Sequence, residues 1–367
     1  MSKQNCRWGI MSAAEIAKKN WHSVALSGNG EIVAVASRDK QKAQRFIDDC
    51  SMSVPVPQEV TALGSYDELL SRDDIDALYV PLPTGVRTEW VIKAAKAGKH
   101  VLVEKPCGVT ADDVQSMIDA CNANGVQFMD GVMFMHSARM PAMRDALDDA
   151  SAIGQIRRIS SQFTFAADED FFTSNIRGRS GLEPAGCLGD LGWYTIRFAL
   201  WAMKYEMPLE VRGRILEGID RADNGDQVPV EFQGELHFAS GASATFFNSF
   251  RCENSQVSIV NGQNGYLQLD DFVLPFFGSE LSFDVGNHHF EADVCRFNME
   301  ERRTKSGVHE FSNNAANAQE VNMFRNFADL VNSGRTDAHW PEITLQTQKV
   351  MDAALESARN SGQPVQP

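Results

Sequence analysis

The sequence predicts an α/β fold: a doubly wound parallel sheet in the N-terminal part, then an α+β part with a large, mainly antiparallel sheet. Short apolar strands alternate with helices as far as residue 131, which is typical of parallel strands joined by right-handed crossovers. From about residue 156 the predicted strands follow one another, with Asn-Gly turns between them. The chain has 367 residues, enough for two domains with their own cores. We therefore expect domains at residues 1–131 and 132–367.

In the N-terminal part, each apolar run is followed by a segment with helical spacing. Strands are expected at Cys6–Met11, Glu31–Ser37, Ala77–Val80, Val101–Val103 and Gln127–Gly131. Helices are expected at Ala13–Ser27, after Asp39, from Pro83 to Gly98 and from Thr110 to Gly125. Asp39 and Thr110 stand where a side-chain oxygen caps the next helix, and Ser65 caps a short turn through Leu69. Gly98 and Gly125 stand where helices end.

The C-terminal part is rich in strands. One strand begins at Ile156, and others are expected at Leu209–Ile219, Val228–Phe238, Ala244–Arg251 and Gln256–Val260. A single long helix interrupts them, from about Leu188 to Lys204. Two helices close the chain, at Asn317–Asn332 and Ile343–Asn360, and the sequence leaves open which domain they pack on.

Composition excludes several classes of partner. The formal net charge of −15 disfavours nucleic acid and anionic membrane surfaces, which need clustered Lys and Arg. No apolar run is long enough to span a bilayer, and the first residues carry no apolar leader. The 7 cysteines are scattered without a C-x-x-C pair, so we expect reduced thiols, no metal site and a cytoplasmic location.

The sequence Glu104-Lys105-Pro106 is the strongest candidate for a functional site. It directly follows the buried strand Val101–Val103, and ligands bind beyond the carboxyl ends of parallel strands. Pro106 restricts the backbone of Lys105 to extended conformations, which gives the ammonium a defined position. The alternative is an ordinary solvated ion pair at a strand end.

The turn after the first strand resembles a phosphate-binding turn. Ser12, Ala14 and Ala17 occupy the three positions where a dinucleotide fold usually has glycine, and all three are small. Small residues let the amides of a helix N-terminus approach a pyrophosphate. The segment Ser12, Ala13, Ala14, Glu15, Ile16 is therefore a candidate cofactor contact, although an ordinary strand–helix connection explains it equally well.

The end of the second strand favours NADP over NAD. An NAD enzyme usually has Asp or Glu there for the ribose hydroxyls, whereas this chain has Ser37 and Arg38. A guanidinium offers charge-assisted hydrogen bonds to a 2′-phosphate. The alternative is a surface arginine beside Asp39.

A second group of chemically active residues precedes and opens the Leu188–Lys204 helix. Asp190 and Tyr194 are four residues apart and share a face if the segment is helical. A phenol can pass a proton to or from a substrate oxygen, and a nearby Lys105 ammonium favours the phenolate. The alternative is that Asp190 caps the helix and Tyr194 belongs to the core. Arg177, Arg179 and Glu183 lie on a polar loop just before this group and either bind a hydroxyl-rich substrate or are simply exposed.

Together these segments resemble the Gfo/Idh/MocA family of NAD(P)-dependent oxidoreductases over nearly the whole chain. The motifs are Trp8-Gly9-Ile10, Glu68-Leu69-Leu70, Pro83 through Pro106, Gly154-Gln155-Ile156, Gly189 through Tyr194 and Ser357-Ala358-Arg359. The resemblance implies an N-terminal Rossmann dinucleotide-binding domain and homodimers or homotetramers formed through the C-terminal sheet. It implies Lys105 and Tyr194 as catalytic residues, supported by Asp190. It also implies cofactor contacts from Pro81, Leu82, Pro83, Thr84, Arg87, Glu104 and Lys105.

The chain departs from the family pattern at two places. Many members have His where Tyr194 stands, and the tyrosine is similar to the branch of glucose–fructose oxidoreductase and dihydrodiol dehydrogenase. Thr84 and Arg87 replace the family's frequent Asn and His.

The resulting hypothesis is an NADP-dependent oxidoreductase acting on a sugar-like substrate, bound by Lys105, Arg177, Asp190 and Tyr194. Two alternatives stay open: an enzyme for an aromatic dihydrodiol, and a catalytically silent dinucleotide-binding regulator.

Overall fold

The computed structural model describes residues 5–174, 181–220 and 227–367. The chain forms two compact units, and neither is one continuous stretch of sequence. Unit 1 contains Met1–His136, Gly181–Pro184 and Asn313–Gln348. Unit 2 contains Ser137–Ser180, Ala185–Ser312 and Lys349–Pro367. The segment 313–348 therefore belongs with the N-terminal sheet, which the sequence pattern left open.

Unit 1 contains a six-stranded parallel sheet in the order β3-β2-β1-β4-β5-β6. Its strands are β1 (Cys6–Met11), β2 (Gly30–Ala36), β3 (Thr61–Leu63), β4 (Ala77–Val80), β5 (His100–Val103) and β6 (Phe128–Asp130). The helices are α1 (Glu15–Leu26), α2 (Lys40–Ser53), α3 (Tyr66–Leu70), α4 (Thr84–Lys96) and α5 (Ala111–Ala123). The predicted doubly wound fold is confirmed, including the caps at Asp39, Ser65 and Thr110.

Helix α9 (Gln319–Ser333) completes the core of unit 1. Its Phe324 packs edge-on against Trp8 of β1, with ring centroids 5.1 Å apart, and against Tyr79 of β4 at 5.5 Å. Phe327 contacts Trp8 from the same helix at 5.3 Å. His136 is buried and stacks on Trp340, so it belongs to the core of unit 1.

Unit 2 is built on an eight-stranded, mainly antiparallel sheet in the order β14-β13-β12-β11-β7-β10-β9-β8. Its strands are β7 (Ile156–Thr164), β8 (Glu210–Asp220), β9 (Gln227–His237), β10 (Ser243–Ser249), β11 (Ser258–Gly262), β12 (Tyr266–Leu269), β13 (Leu281–Asp293) and β14 (Arg296–Val308). Its helices are α6 (Arg139–Asp148), α7 (Glu169–Ser174) and α8 (Trp193–Ala202), while α10 (His339–Arg359) runs through the boundary at Gln348. The predicted antiparallel sheet is confirmed, but the sequence pattern missed β12, β13 and β14. None of the helices in the described ranges is both long and apolar enough to cross a membrane.

Candidate functional site

The predicted cofactor residues of unit 1 lie at one edge of its sheet. β1, β2, β4 and β5 are parallel, so the loops that follow them all leave from the carboxyl edge. β1 and β4 are neighbours at the point where the strand order reverses, which is where open α/β sheets bind ligands. The topology alone therefore brings the loops after Met11, Ala36, Val80 and Val103 to the same edge.

The turn after β1 has a backbone that glycine would adopt without strain. Ser12 has a φ of 142°, in the region that L side chains rarely occupy. Ala14 is the N-cap of α1 and offers no side-chain acceptor to the first helical amides. These amides, which begin at Glu15 and Ile16, are thus left to an external acceptor such as a phosphate. The sequence lacks the fingerprint glycines, but this turn keeps a glycine-like conformation.

Tyr66 links the ends of β1 and β2. The positive charge of Arg38 and the nearby Ser12 hydroxyl both act to lower the pKa of its phenol. Burial nevertheless raises the pKa of this phenol, so Tyr66 remains protonated at neutral pH. The ring also packs edge-on against Trp90 of α4, with centroids 5.0 Å apart. Nothing in the sequence marks Tyr66 as a functional residue, because it follows the Ser65 cap and fits the pattern of a core residue.

Arg38 is exposed at the end of β2, whereas Ser37 is buried. Asp39 accepts the Gln41 amide at 2.8 Å and lies 4.0 Å from Arg45. Within the described residues, Arg38 itself forms no ion pair with a carboxylate. Arg38 is thus a surface arginine beside Asp39, as that alternative has it, although the two side chains do not form an ion pair. A free guanidinium beside the Ser12 turn fits the 2′-phosphate of NADP in its chemistry.

Glu104 is held by a network inside unit 1. The Tyr79 phenol donates to its Oε1 at 2.7 Å, and Asn20 Nδ2 lies 2.5 Å from the Tyr79 oxygen and 3.5 Å from Oε1. The other carboxylate oxygen, Oε2, accepts the backbone amide of Lys105 at 3.3 Å. Burial, followed by the Glu104 charge, raises the pKa of Tyr79 well above its ordinary value. Tyr79 thus stays a hydrogen-bond donor, and the network fixes the backbone from which Lys105 projects.

Arg87 holds two loops together and is not a surface residue. It is buried, and its guanidinium donates to the carbonyls of Leu82, Pro106 and Cys107. It therefore ties the loop after β4 to the loop after β5, which contains a cis Lys105–Pro106 peptide bond. A direct contact between Arg87 and a cofactor stays a prediction.

Glu183 has a role that the sequence did not indicate. Its carboxylate accepts the Thr84 backbone amide at 3.0 Å and the Thr84 hydroxyl at 2.7 Å, so it caps α4. The neighbouring Leu182 carbonyl accepts the Gly85 amide at 2.9 Å. Both acceptors stabilise the α4 N-terminus, and Glu183 is neither simply exposed nor free for substrate. Arg177 and Arg179 of the same loop lie outside the described residues.

In unit 2, Asp190 lies on a π-helical turn, Leu188–Gly192, that leads into α8. Such turns are rare in proteins, and those that occur are often found at functional sites. A Cβ at Gly192 would lie 2.8 Å from Leu188 Cδ1 and 3.0 Å from Asn248 Oδ1, so a larger residue there would require these side chains to shift. The π-helical turn runs directly into α8, so the segment from Asp190 to Tyr194 is helical throughout. This is the condition for the two side chains to share a face.

Tyr194 is buried, with 7% of its surface exposed. Its ring packs edge-on against Phe163, with ring centroids 5.7 Å apart. Asp190 is half-buried, and its charge adds to burial in raising the pKa of the Cys187 thiol. Lys105 belongs to unit 1, whereas Asp190 and Tyr194 belong to unit 2. The meeting of these three side chains on one substrate therefore stays a prediction.

The comparisons with known proteins agree with this architecture. A family model described as "Oxidoreductase family, NAD-binding Rossmann fold" matches residues 6–132, and the "GFO/IDH/MocA C-terminal domain" matches residues 142–268. The chain belongs to the Gfo/Idh/MocA family of oxidoreductases. The predicted family and enzyme class are confirmed.

Three relatives from this family illustrate its range. D-xylose 1-dehydrogenase (NADP(+)) 2 of Haloferax volcanii is 31% identical, over 75% of this chain and 80% of that protein. A trans-1,2-dihydrobenzene-1,2-diol dehydrogenase of Mus musculus is 30% identical over 97% of this chain and 96% of its own. A dTDP-3,4-didehydro-2,6-dideoxy-alpha-D-glucose 3-reductase of Streptomyces violaceoruber is 36% identical, and the match spans only 57% of each chain.

Among solved structures, the aldose-aldose oxidoreductase of Caulobacter crescentus complexed with glycerol superposes with a TM-score of 0.79. It is 21% identical, over 99% of this chain and 100% of that one. At this identity the likeness concerns the fold alone.

Proposed function

We propose that this Gfo/Idh/MocA protein is an NADP-dependent enzyme that transfers a hydride between the nicotinamide and a sugar-like alcohol or carbonyl. The observation that carries the proposal is Lys105 at the carboxyl end of β5, on a backbone that Glu104 and Tyr79 hold. Two relatives are named for a sugar or sugar-nucleotide substrate, and one of these names includes NADP. The sugar class and the cofactor are thereby supported from outside the site.

The cofactor would be held along the carboxyl edge of the unit 1 sheet. Amides of the Ser12–Ile16 segment would bind the pyrophosphate, and Ser37 and Arg38 the 2′-phosphate of the ribose. The loops at Pro81–Thr84 and Glu104–Lys105 would line the nicotinamide side. When bound, NADP supplies the site that accepts or donates the hydride.

In the oxidation direction, the phenolate oxygen of Tyr194 would accept the proton of the substrate hydroxyl, and the hydride of the same carbon would pass to the nicotinamide. The Lys105 ammonium would donate a hydrogen bond to the same substrate oxygen and stabilise the negative charge that develops there. Its charge would also favour the phenolate form of Tyr194. In the reduction direction, Tyr194 returns the proton to the new alkoxide. Asp190 would accept a hydrogen bond that orients the substrate or Lys105.

Arg177 remains a proposed contact for a hydroxyl-rich substrate. The family relative that acts on a dihydrodiol supports an aromatic diol as the second candidate substrate. A silent regulator is disfavoured because Lys105 and Tyr194 are both retained. Two or four copies would assemble through the open face of the unit 2 sheet.

An activity screen tests this function. The purified protein with NADP⁺ or NADPH is offered D-xylose, other aldoses, their lactones, a dTDP-keto sugar and a trans-dihydrodiol, and absorbance at 340 nm is followed. Turnover of a sugar supports the proposal, and turnover of the dihydrodiol alone favours the second candidate. NADPH binding without turnover of any of them would contradict the proposed activity.

A further inference from the structure

The last two strands of unit 2 extend far beyond the rest of its sheet. β12 pairs with β13 only as far as Tyr266–Gly286, whereas the β13–β14 ladder continues to Asp293–Arg296. At about 3.4 Å per residue, the seven residues after Gly286 carry this ribbon about 24 Å past its last neighbouring strand. We refer to residues 287–302 as the arm.

One face of the arm is apolar toward its tip, beyond the pair His288–Glu301, and the other face is polar. Opposite residues in an antiparallel pair share a face, and the ladder pairs Phe290 with Met299 and Ala292 with Phe297. The Phe290 and Phe297 rings stack at 5.9 Å. The other face carries the pairs His289–Glu300, Glu291–Asn298 and Asp293–Arg296. This alternation is the pattern of a strand pair with one covered face.

The apolar face of the arm is nevertheless open to solvent in a single chain. Phe290 is 55% exposed, Met299 65% and Phe297 71%, and Val294 at the tip is 93% exposed. A two-stranded ribbon is marginally stable in water without a hydrophobic face packed on something. The apolar face of the arm therefore needs another surface to pack against, and the described part of the chain does not provide one.

The arm's apolar face is continuous with the open face of the sheet. Following the register across the strands, Thr245, Ser160, Ile259, Gln268 and Asp284 all lie on one face. Continuing along β13 by twos from Asp284 leads to Phe290 and Ala292. The same face holds a trough of about 590 Å³. Whatever covers the open face of the sheet thus meets the apolar face of the arm as well.

We propose that the arm clasps a second copy of this chain, with its apolar face laid on the partner. This inference rests on the proposed assembly through the open sheet face and adds the element that grips the partner. In a two-fold pair the two arms are used equivalently, since each surface patch appears on both copies.

The available area fits this occupant. A side chain of this size has about 200 Å² of accessible surface when it is fully exposed. The four arm residues are only partly exposed, so together they provide on the order of 500 Å². Two symmetric arms double this value to about 1,000 Å², which is comparable to the whole apolar part of a standard interface of about 1,600 Å². The net charge of −15 and the glutamates at Glu291, Glu300 and Glu301 disfavour an anionic membrane or nucleic acid as the cover.

The test compares two charge-matched double variants by sedimentation equilibrium over a wide range of protein concentration. Phe290→Asp with Phe297→Asp places two carboxylates on the apolar face, and His289→Asp with Asn298→Asp places two on the polar face. We expect wild type and the polar-face variant to associate alike. The apolar-face variant should raise the dissociation constant on the order of 100-fold.

A third variant removes the risk that charged substitutions merely unfold the arm. Residues 287–302 are replaced by Asn-Gly, which forms a tight turn and leaves the pairing with β12 intact. Unchanged circular dichroism with weakened association supports the proposal. An oligomeric wild type whose arm variants assemble equally well would overturn the clasp but not the assembly through the sheet. A wild type that is monomeric at all concentrations would overturn both.

Discussion

The phenol of Tyr79 donates a 2.7 Å hydrogen bond to Glu104, and Glu104 in turn accepts the backbone amide of Lys105. Tyr79 is fully buried on β4, and Glu104 follows β5, so two neighbouring strands fix the position of one lysine. The proposed catalytic ammonium is thus supported by a group that never needs to touch substrate. Tyr79 is a positioning residue in this account.

Tyr79→Phe should lower kcat about tenfold while NADPH binding changes less than threefold, because Glu104 loses its best donor and Lys105 its fixed backbone. The free energy of unfolding should fall by about 1–3 kcal/mol, the cost of an unmade buried hydrogen bond. Steady-state kinetics across pH distinguish the two effects, since positioning of Lys105 shifts the pH profile of kcat. Tyr266→Phe on β12 is the control. Lost stability with an unchanged kcat and pH profile would refute the positioning role.

Arg38→Ala should weaken NADPH binding about 10- to 100-fold, which corresponds to the loss of charge-assisted hydrogen bonds worth about 1.5–3 kcal/mol. NADH has no 2′-phosphate, so its affinity should change little. The measurement is a fluorescence titration with each nucleotide. Arg45→Ala is the matched control, because Arg45 faces Asp39 at 4.0 Å. Equal affinities of the wild type for NADH and NADPH would show that Arg38 does not select the cofactor.

Ser12→Gly should be more stable than Ser12→Ala by about 1 kcal/mol, the reverse of the usual order of these residues. Both variants lose the Ser12 hydroxyl, so their difference isolates the backbone at a φ of 142°. Ser12→Val should be the least stable, because a β-branched residue is disfavoured most at this φ. Urea unfolding provides the values. Alanine equal to or better than glycine would indicate that the turn is unstrained.

His100 should make the protein less stable in mild acid. Burial lowers the pKa of its imidazole below 6.5, and its Nδ1 accepts the Gln127 amide at 2.9 Å. The unfolded chain therefore binds a proton that the folded chain refuses, and the free energy of unfolding falls as pH drops below about 6.5. His100→Asn keeps an acceptor without the titration. Urea unfolding at neutral and mildly acidic pH should show a smaller pH effect in this variant, and an identical pH effect would exclude His100 as its source.

The sequence predicted the parallel sheet well because its strands are short apolar runs and its helices begin at Asp39, Ser65 and Thr110, whose caps are local. The missed strands β13 and β14 carry many charged and polar residues, and the apolar alternation along β13 is interrupted by Gly286 and His288. Local periodicity is weak in such a ribbon, so a pattern search passes over it.

The candidate site was predictable where the chemistry is adjacent in sequence and not where it depends on distant contacts. Glu104-Lys105 stands out as a motif, whereas Tyr79 and Asn20 read as an ordinary strand and helix residue until the fold brings them to Glu104. Glu183 appeared to belong to a substrate loop, and only the tertiary structure shows it capping Thr84. Long-range hydrogen bonds of this kind leave no local signature.

The central claim is that Lys105 and Tyr194 perform hydride-linked proton chemistry on one substrate. The most direct measurement is the kcat of wild type, Lys105→Ala and Tyr194→Phe with NADP⁺ and the best substrate of the screen, beside the NADPH affinity of each variant. Each substitution should lower kcat by about 100-fold or more while the nucleotide affinity stays within about threefold. A variant that binds NADPH and retains the wild-type kcat would contradict the central claim.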